Sequence, residues 1–317
     1  MGIVVLAGGV GAARFLQGLV QVVPPEQVTA IVNTGDDVEM HGQHVSPDVD
    51  IVMYSLAGLV DERQGWGIRG DTFACQDFLA RLGHETWFRL GDRDLATCLH
   101  RSMLLRQGFS LAEATDQIRK SLGVAIDLIP MSNDPVRTEI VTPDGALPFQ
   151  EYFVKRGQRD AVVGVRFHGI DTARPAPGVL ARIETAEVII IAPSNPFVSI
   201  GTILAVDGVR ETLRRRKQQT VAISPIIGGK AIKGPLEGML RGMGVEVSAQ
   251  GVASLYADVV GTFVLDTDDR SLAPGIEKLG MRTDVIPTLM RSPAAKRRLA
   301  ARVLEATAYG APPDASP

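Results

Sequence analysis

Four carboxylates, Asp36, Asp37, Asp48 and Asp50, fall within the eighteen positions of NTGDDVEMHGQHVSPDVD at 33–50. Side chains this close repel one another unless a cation or a proton lies among them. Hard divalent ions such as Mg²⁺ take one or two carboxylates and complete their shell with phosphate oxygens. A short helical unit upstream, AGGVGAAR at 7–14 forms a glycine-rich turn. Its backbone N–H groups can approach a phosphate at the start of a helix. A backbone cradle beside an acidic cluster points to a site for a metal–phosphate ester. The other reading makes Asp36 and Asp37 turn residues and Asp48 and Asp50 helix caps. The cluster alone leaves both open.

Two further loops carry the same chemistry. IIIAPSNPFVSIG at 189–201 is an apolar strand followed by Pro193, Ser194, Asn195 and Pro196, then a helix starting near Ser199. In open α/β sheets ligands bind beyond the carboxyl ends of the strands, where this loop offers hydroxyls, an amide and free N–H groups. SPIIGGK at 224–230 repeats the arrangement, with Gly228, Gly229 and Lys230 before another helical stretch. Trp66, in GWGIRGDTF, is one of two tryptophans and suits either a stacking platform or a core position.

Several chemistries find no support. The glycine turn lacks the GK[ST] ending of a P-loop. It approximates a dinucleotide fingerprint, but the acidic ribose anchor is replaced by the NTGDD block, which weakens an NAD-dependent oxidoreductase. The five histidines, His41, His44, His84, His100 and His168, show no HExxH spacing, and there is no GxSxG elbow.

The elements that would position these residues alternate. Ile3–Ala7 is a continuous apolar run suited to a strand buried on both faces. Ala12–Val23 has helical spacing and stops at Pro24-Pro25, and VTAIVN at 28–33 is the next strand. Helical periodicity fills 71–82, 92–107 and 110–122, with Asp71 and Ser110 as N-caps and Glu113 completing a capping box at the latter. Strands follow at 138–142, 161–166, 187–192, 220–224, 245–247 and 262–265, with helices at 199–217 and 230–243. The alternation predicts a Rossmann-like, doubly wound α/β fold with a mostly parallel sheet. Its core spans 1–56 and 124–310, a smaller helical insertion occupies 57–123, and the Pro-rich tail 311–317 is expected to be disordered.

The 317-residue chain is 45% hydrophobic and 22% charged, with net charge −3, an ordinary globular balance lacking the basic excess of a nucleic-acid binder. The basic runs at 210–217 and 296–302 fit solvated helix faces. Two cysteines without CxxC spacing suit a reducing compartment. MGIVVLAGG has no basic n-region, and the apolar runs are too short to span a bilayer, so a cytoplasmic protein is expected.

Taken in order, AGGVGAARFLQGL, VNTGDDVEMHGQHVSPDVDIVMYSLAG, GWGIRGDTF, WFRLGDRDLATCLHR, PMSNDPVRT, IIIAPSNPFVSIG and SPIIGGKAIKGP resemble the 2-phospho-L-lactate transferase family of coenzyme F420 biosynthesis. The resemblance runs from about residue 4 to about 290. It implies a Mg²⁺-dependent phosphotransferase. A guanosine diphosphate-linked phospho-three-carbon acid would give its phospho-acid unit to the ribityl hydroxyl of the deazaflavin Fo, releasing GMP and forming F420-0 or its dehydro form. It also implies a functional link to a guanylyltransferase and leaves room for a homodimer. Carried over by motif, Asp36 and Asp48 match the Mg²⁺ ligands, and Asp50 and Arg89 fall at the Fo acceptor, with Trp66 a further ring contact. Asp50 could orient the acceptor hydroxyl or take its proton. Gly9, Gly11, Arg14, Ser194, Asn195, Pro196, Ser199, Gly228, Gly229 and Lys230 fall at the guanosine diphosphate unit. Ile51 departs from a family pattern in which Thr is common. The more distant gluconeogenesis factor family, nucleotide-sugar-binding regulators, shares the glycine turn and supplies the alternative function.

Overall fold

Seven parallel strands form the centre of the computed structural model, which describes residues 2–308 except position 233. They are β1 (Ile3–Ala7), β2 (Val28–Val32), β3 (Asp127–Pro130), β4 (Val188–Ile191), β5 (Thr220–Ile223), β6 (Thr262–Leu265) and β7 (Arg282–Val285). Their spatial order is β7-β6-β5-β4-β1-β2-β3. Every residue of β1, β2, β4, β5 and β6 is buried, as expected for strands covered on both faces. Along β1, Ile3, Val5 and Ala7 enter one apolar layer while Val4 and Leu6 enter the other.

The order reverses beside β1, which pairs with β2 on one side and β4 on the other. Chains leaving β1 and β4 therefore diverge to opposite faces and open a crevice at their carboxyl ends, where such folds bind ligands. Helix α1 (Gly9–Leu19) follows β1 directly. Helix α2 (Pro47–Leu56) packs against α1, with Pro47 in its first turn, where a missing N–H costs nothing. Both lie in the Ile3 layer, joined there by the helix Pro293–Ala308.

The three expected helices of the middle segment are α3 (Ala74–Arg81), α4 (Asp92–Arg106) and α5 (Leu111–Ser121). Ser110 and Glu113 make the anticipated capping box. Asp71 does not cap α3, whose N-cap position is Phe73. Instead its carboxylate accepts from the backbone N–H groups of Arg93 and Asp94 at the start of α4. Asp92 reciprocates, accepting from Ala74 and Cys75 at the start of α3. Ile118 of α5 enters the same apolar layer as β1, so this end of the segment packs on the sheet.

Several expected elements differ. The strand near 138–142 is Arg137–Thr142, and that near 161–166 is Gly164–His168. With Gly145–Pro148 they form a separate antiparallel sheet rather than joining the parallel one. One face of Arg137–Thr142 alternates into burial, the pattern of a half-covered antiparallel strand. Residues 245–247 are not a strand but the approach to helix Ala249–Ser254. The helix expected over 199–217 breaks into Ile200–Ala205 and Val209–Arg215 at Gly208, whose φ is +76°. The helix expected from 230 begins at Leu236, because Lys230–Ala231 pairs with Ile226–Ile227 in a small hairpin. Edge strands β3 and β7 were not anticipated, since Asp127, Arg282 and Asp284 interrupt any apolar run. The tail at 311–317 and the core's last residues, 309–310, lie outside the described residues. No described helix is long and apolar enough to cross a membrane.

Candidate active site

A cavity of about 720 Å³ opens at the sheet's reversal point. Its floor is the glycine turn after β1, the first turn of α2 and the loop after β4. Asp36, Asp48 and Asp50 all line it, Asp36 from the turn after β2 and Asp48 and Asp50 from the first turn of α2.

The turn between β2 and α2 sorts its acids into two roles. Asp37 is not part of the lining and is tied off by the Ser46 hydroxyl at 2.7 Å and by His44 Nε2 at 2.8 Å. Asp48 accepts from Asn33 Nδ2 at 3.0 Å, while Asn33 Oδ1 accepts the Gly35 N–H at 2.8 Å. Asn33 thus braces the acidic turn against the end of β2. Burial pushes the Asp48 carboxyl up to about 6, and Asn33 opposes the rise. Asp36 is pushed well above the ordinary range, first by burial and then by the Asp48 charge. Its Oδ1 is buried without a hydrogen-bond partner among the described residues. An orphaned carboxylate oxygen beside a second buried carboxylate is a donor set that a hard cation fits.

Asp50 is engaged differently. Arg101, fully buried on α4, directs Nη1 and Nη2 to its two oxygens, with the first contact at 3.1 Å. Burial raises the Asp50 carboxyl and the guanidinium opposes it; the direct bidentate contact keeps the pair ionic. Asp94, in the first turn of α4, also lines the cavity and accepts the Tyr54 hydroxyl at 2.8 Å. Tyr54, Asp94 and Arg101 fall inside the sequence blocks that carry the family resemblance, but neither their spacing on α2 and α4 nor those blocks singled them out as site residues.

The glycine turn is tightly enclosed. A Cβ on Gly8 would lie 2.6 Å from Ser199 Cβ and 2.7 Å from Asp48 Oδ2, and one on Gly11 would lie 2.1 Å from the Pro193 carbonyl oxygen. Gly9 adopts φ +67°. The Ser194 hydroxyl donates to the Gly8 carbonyl at 2.8 Å, fastening the β4 loop to the β1 turn. Gly9, Gly11, Arg14, Ser194, Asn195 and Ser199 all line the cavity. Asn195 Oδ1 caps the N–H groups of Phe197 and Val198, so its role in holding the loop's shape is visible directly. Pro196 does not face the cavity. Neither do Gly228, Gly229 and Lys230: the glycines, at φ +56° and +73°, turn the hairpin, and Asp269 accepts the Gly228 N–H at 3.0 Å. That third wall is built instead by Ser224, Pro225 and Gly234–Leu236, with Thr288–Arg291 beyond β7.

Opposite lies an aromatic wall. Trp66 is 41% exposed and lines the mouth, settling it as a surface rather than a core residue. Trp87 and Phe88 lie beside it, and Phe149 and Phe153, stacked at 5.4 Å, face from a second segment. Arg89 lines the same region with its guanidinium 4.3 Å above the Phe73 ring. Ile51, the departure from the family pattern, is also part of the lining.

Residues 3–278 match the family model described as 2-phospho-L-lactate transferase CofD. A 2-phospho-L-lactate transferase of Methanosarcina mazei is 40% identical over 304 residues, covering 96% of this chain and 99% of that protein. A phosphoenolpyruvate transferase of Kitasatospora aureofaciens is 42% identical over 314 residues, covering 96% and 97% respectively. Among solved structures, a UPF0052 family member from Bacillus halodurans superposes with a TM-score of 0.64 over 96% of this chain and 98% of its own. At 17% identity, that likeness speaks to the fold alone.

Proposed function

The chain belongs to the 2-phospho-L-lactate transferase CofD family, and we propose that it moves a phospho-three-carbon-acid unit from a guanosine diphosphate-linked donor to the ribityl hydroxyl of Fo. The observation that carries this is the meeting, in one cavity, of the buried Asp36–Asp48 pair and the enclosed glycine turn. Asp36 and Asp48 would hold Mg²⁺, which when bound neutralises charge on phosphate oxygens. The first-turn N–H groups of α1 have no intrahelical acceptors and suit a diphosphate oxygen. Arg14, on the same helix, adds a cation to that side. The aromatic wall suits a planar acceptor ring, and the acid row offers hydrogen-bond acceptors for its polyhydroxyl chain beside the glycine turn. The donor must come from a guanylyltransferase, and we place both proteins in the cytoplasm.

The test is mass spectrometry of mixtures containing Fo, GTP, Mg²⁺, a partner guanylyltransferase and one of phospholactate, phosphoenolpyruvate or 3-phosphoglycerate. One acid is expected to give an Fo adduct carrying that phospho-acid, with one GMP released per adduct. Binding of guanosine or uridine diphosphates without any Fo-derived product would replace the transferase with a nucleotide-binding regulator.

A further inference from the structure

The acceptor side of the cavity holds two buried carboxylates, and their partners differ. Both oxygens of Asp50 are occupied by Arg101, which also donates to the His44 carbonyl at 3.2 Å. A carboxylate bridged in this way spends one lone pair of each oxygen on a guanidinium that does not give up a proton, which makes it a weaker base while leaving a lone pair to accept a hydrogen bond. Asp94 stands next to it: the ligand atoms of Asp50, Asp94 and Cys98 lie within 4.8 Å of one another. Such a trio could suggest a second cation site. Arg101 already supplies the compensating charge, and burial pushes the Cys98 thiol up, away from the thiolate a metal needs.

Asp94 keeps one oxygen open. Its Oδ1 accepts the Tyr54 hydroxyl, whereas its Oδ2 has no hydrogen-bond partner among the described residues, and the side chain lines the cavity. The Asp94 backbone is held from behind, its N–H donating to Asp71 Oδ2 at 3.2 Å. Tyr54 follows Asp50 by four residues on α2, so Asp48, Asp50 and Tyr54 descend one helix toward Asp94.

We propose that Asp94 is the general base of the transfer, with Asp50 orienting the acceptor hydroxyl and Tyr54 positioning the Asp94 carboxyl. This rests on the transferase reading above. In the step, the acceptor hydroxyl oxygen forms a bond to the phosphorus that carries the three-carbon acid. The bond from that phosphorus to the bridging diphosphate oxygen breaks, and GMP leaves with the electron pair. The hydroxyl proton passes to Asp94 Oδ2 and from there to water. Proton transfer is most effective when the base titrates near the working pH. Burial, followed by the Asp50 charge, pushes the Asp94 carboxyl up to about 7. The groups facing it are Asp50 and Tyr54 from α2, Arg101 and Cys98 from α4, and Asp71 from the preceding loop.

The test compares wild type, Asp94→Asn and Tyr54→Phe as full chains at saturating Mg²⁺, Fo and donor, across pH 5.5–9. Wild-type kcat is expected to fall on the acid side of an ionisation near 7. Asp94→Asn should lose about 10²–10⁴-fold in kcat and lose that acid limb, with KM for Fo changed only a few-fold. Tyr54→Phe should move the limb to higher pH, since the lost hydrogen bond favoured the carboxylate. Wild-type kcat in Asp94→Asn, or an unchanged limb in either variant, overturns the assignment. Retained thermal stabilisation by GDP shows that Asp94→Asn is folded; should it not fold, the direction of the Tyr54→Phe limb decides. Absence of product from the wild type would refute the transferase reading instead.

Discussion

Arg101 on α4 closes on Asp50 on α2 through two N–H donors, and neither partner reaches solvent appreciably. The contact ties the helical segment to the floor of the cavity, so the same pair serves stability and site geometry. Breaking a buried ion pair by removing one partner leaves an uncompensated charge and costs about 3–5 kcal/mol. Arg101→Met should therefore lower the unfolding free energy in urea by roughly that amount, while adding Asp50→Leu should recover most of it. A loss below about 1 kcal/mol in the single variant would place the pair with ordinary surface bridges.

Asp36 has an oxygen that no described protein group satisfies, so replacing the carboxylate removes no hydrogen bond at that atom. Asp36→Asn should fold normally yet lose turnover, as should Asp48→Asn, by roughly 10²-fold or more if each supplies a metal ligand. Circular dichroism checks the fold and steady-state kinetics with a Mg²⁺ titration checks the activity. Undiminished wild-type turnover in excess EDTA would remove the metal from the site.

The buried acids also set a pH dependence. Asp48 and Asp94 titrate at about 6 and about 7 in the folded protein, both above the ordinary 3.8. The native state thus holds protons that the unfolded chain has released. The stability these groups contribute is present below about pH 4 and is lost as pH rises through 6 and 7. In EDTA, unfolding free energy should decline from pH 5 to pH 8, and Asp94→Asn should flatten that slope. Parallel curves for wild type and variant would show that Asp94 titrates normally.

The parallel sheet and its ligand-facing loops were legible because uninterrupted apolar runs ending in Gly or Pro have few other structures to adopt. β1 matches its expected bounds residue for residue. What stayed hidden depended on contacts between distant segments. The hairpin at Gly228-Gly229 has the composition of a phosphate loop, but its glycines satisfy positive φ rather than a close backbone approach. Asp71 reads as the cap of the helix that follows it, but that helix starts later, at Ala74, and the Asp71 carboxylate instead accepts from the first N–H groups of α4. Arg101 reads as a solvated helix residue until the fold seals it beside Asp50.

Gly8 and Gly228 separate a ligand-facing glycine from a turn glycine. A methyl on Gly8 meets Ser199 and Asp48 at 2.6–2.9 Å, inside the cavity floor, whereas one on Gly228 finds only Asp268 Cβ at 3.9 Å. Gly8→Ala should abolish the thermal stabilisation given by GDP, because the turn must shift away from the β4 loop. Gly228→Ala has strained φ and should lower Tm by a few degrees, with the GDP increment unchanged. Loss of that increment in Gly228→Ala would bring the hairpin back into the donor site.

The acceptor prediction follows from the opposite wall. Lys155 Nζ lies 5.7 Å from the Trp87 ring centre and 3.0 Å from a Glu85 oxygen, so the two aromatic segments are bridged across the mouth. A flat tricyclic ring entering there would meet Trp66 and Trp87 from one side and Phe153 from the other. An aromatic pair contributes about 0.5–1.5 kcal/mol beyond its buried area, and 1.4 kcal/mol is tenfold in affinity. Trp87→Ala and Phe153→Ala should each weaken Fo binding by roughly 3- to 30-fold in a fluorescence titration, with the GDP thermal shift intact. Arg89→Ala should weaken Fo as well, because Arg89 lines the cavity together with Trp87 and Phe88 and its guanidinium is held over the Phe73 ring. If these variants lose GDP and keep Fo, the nucleotide occupies the aromatic side and the two half-sites are reversed.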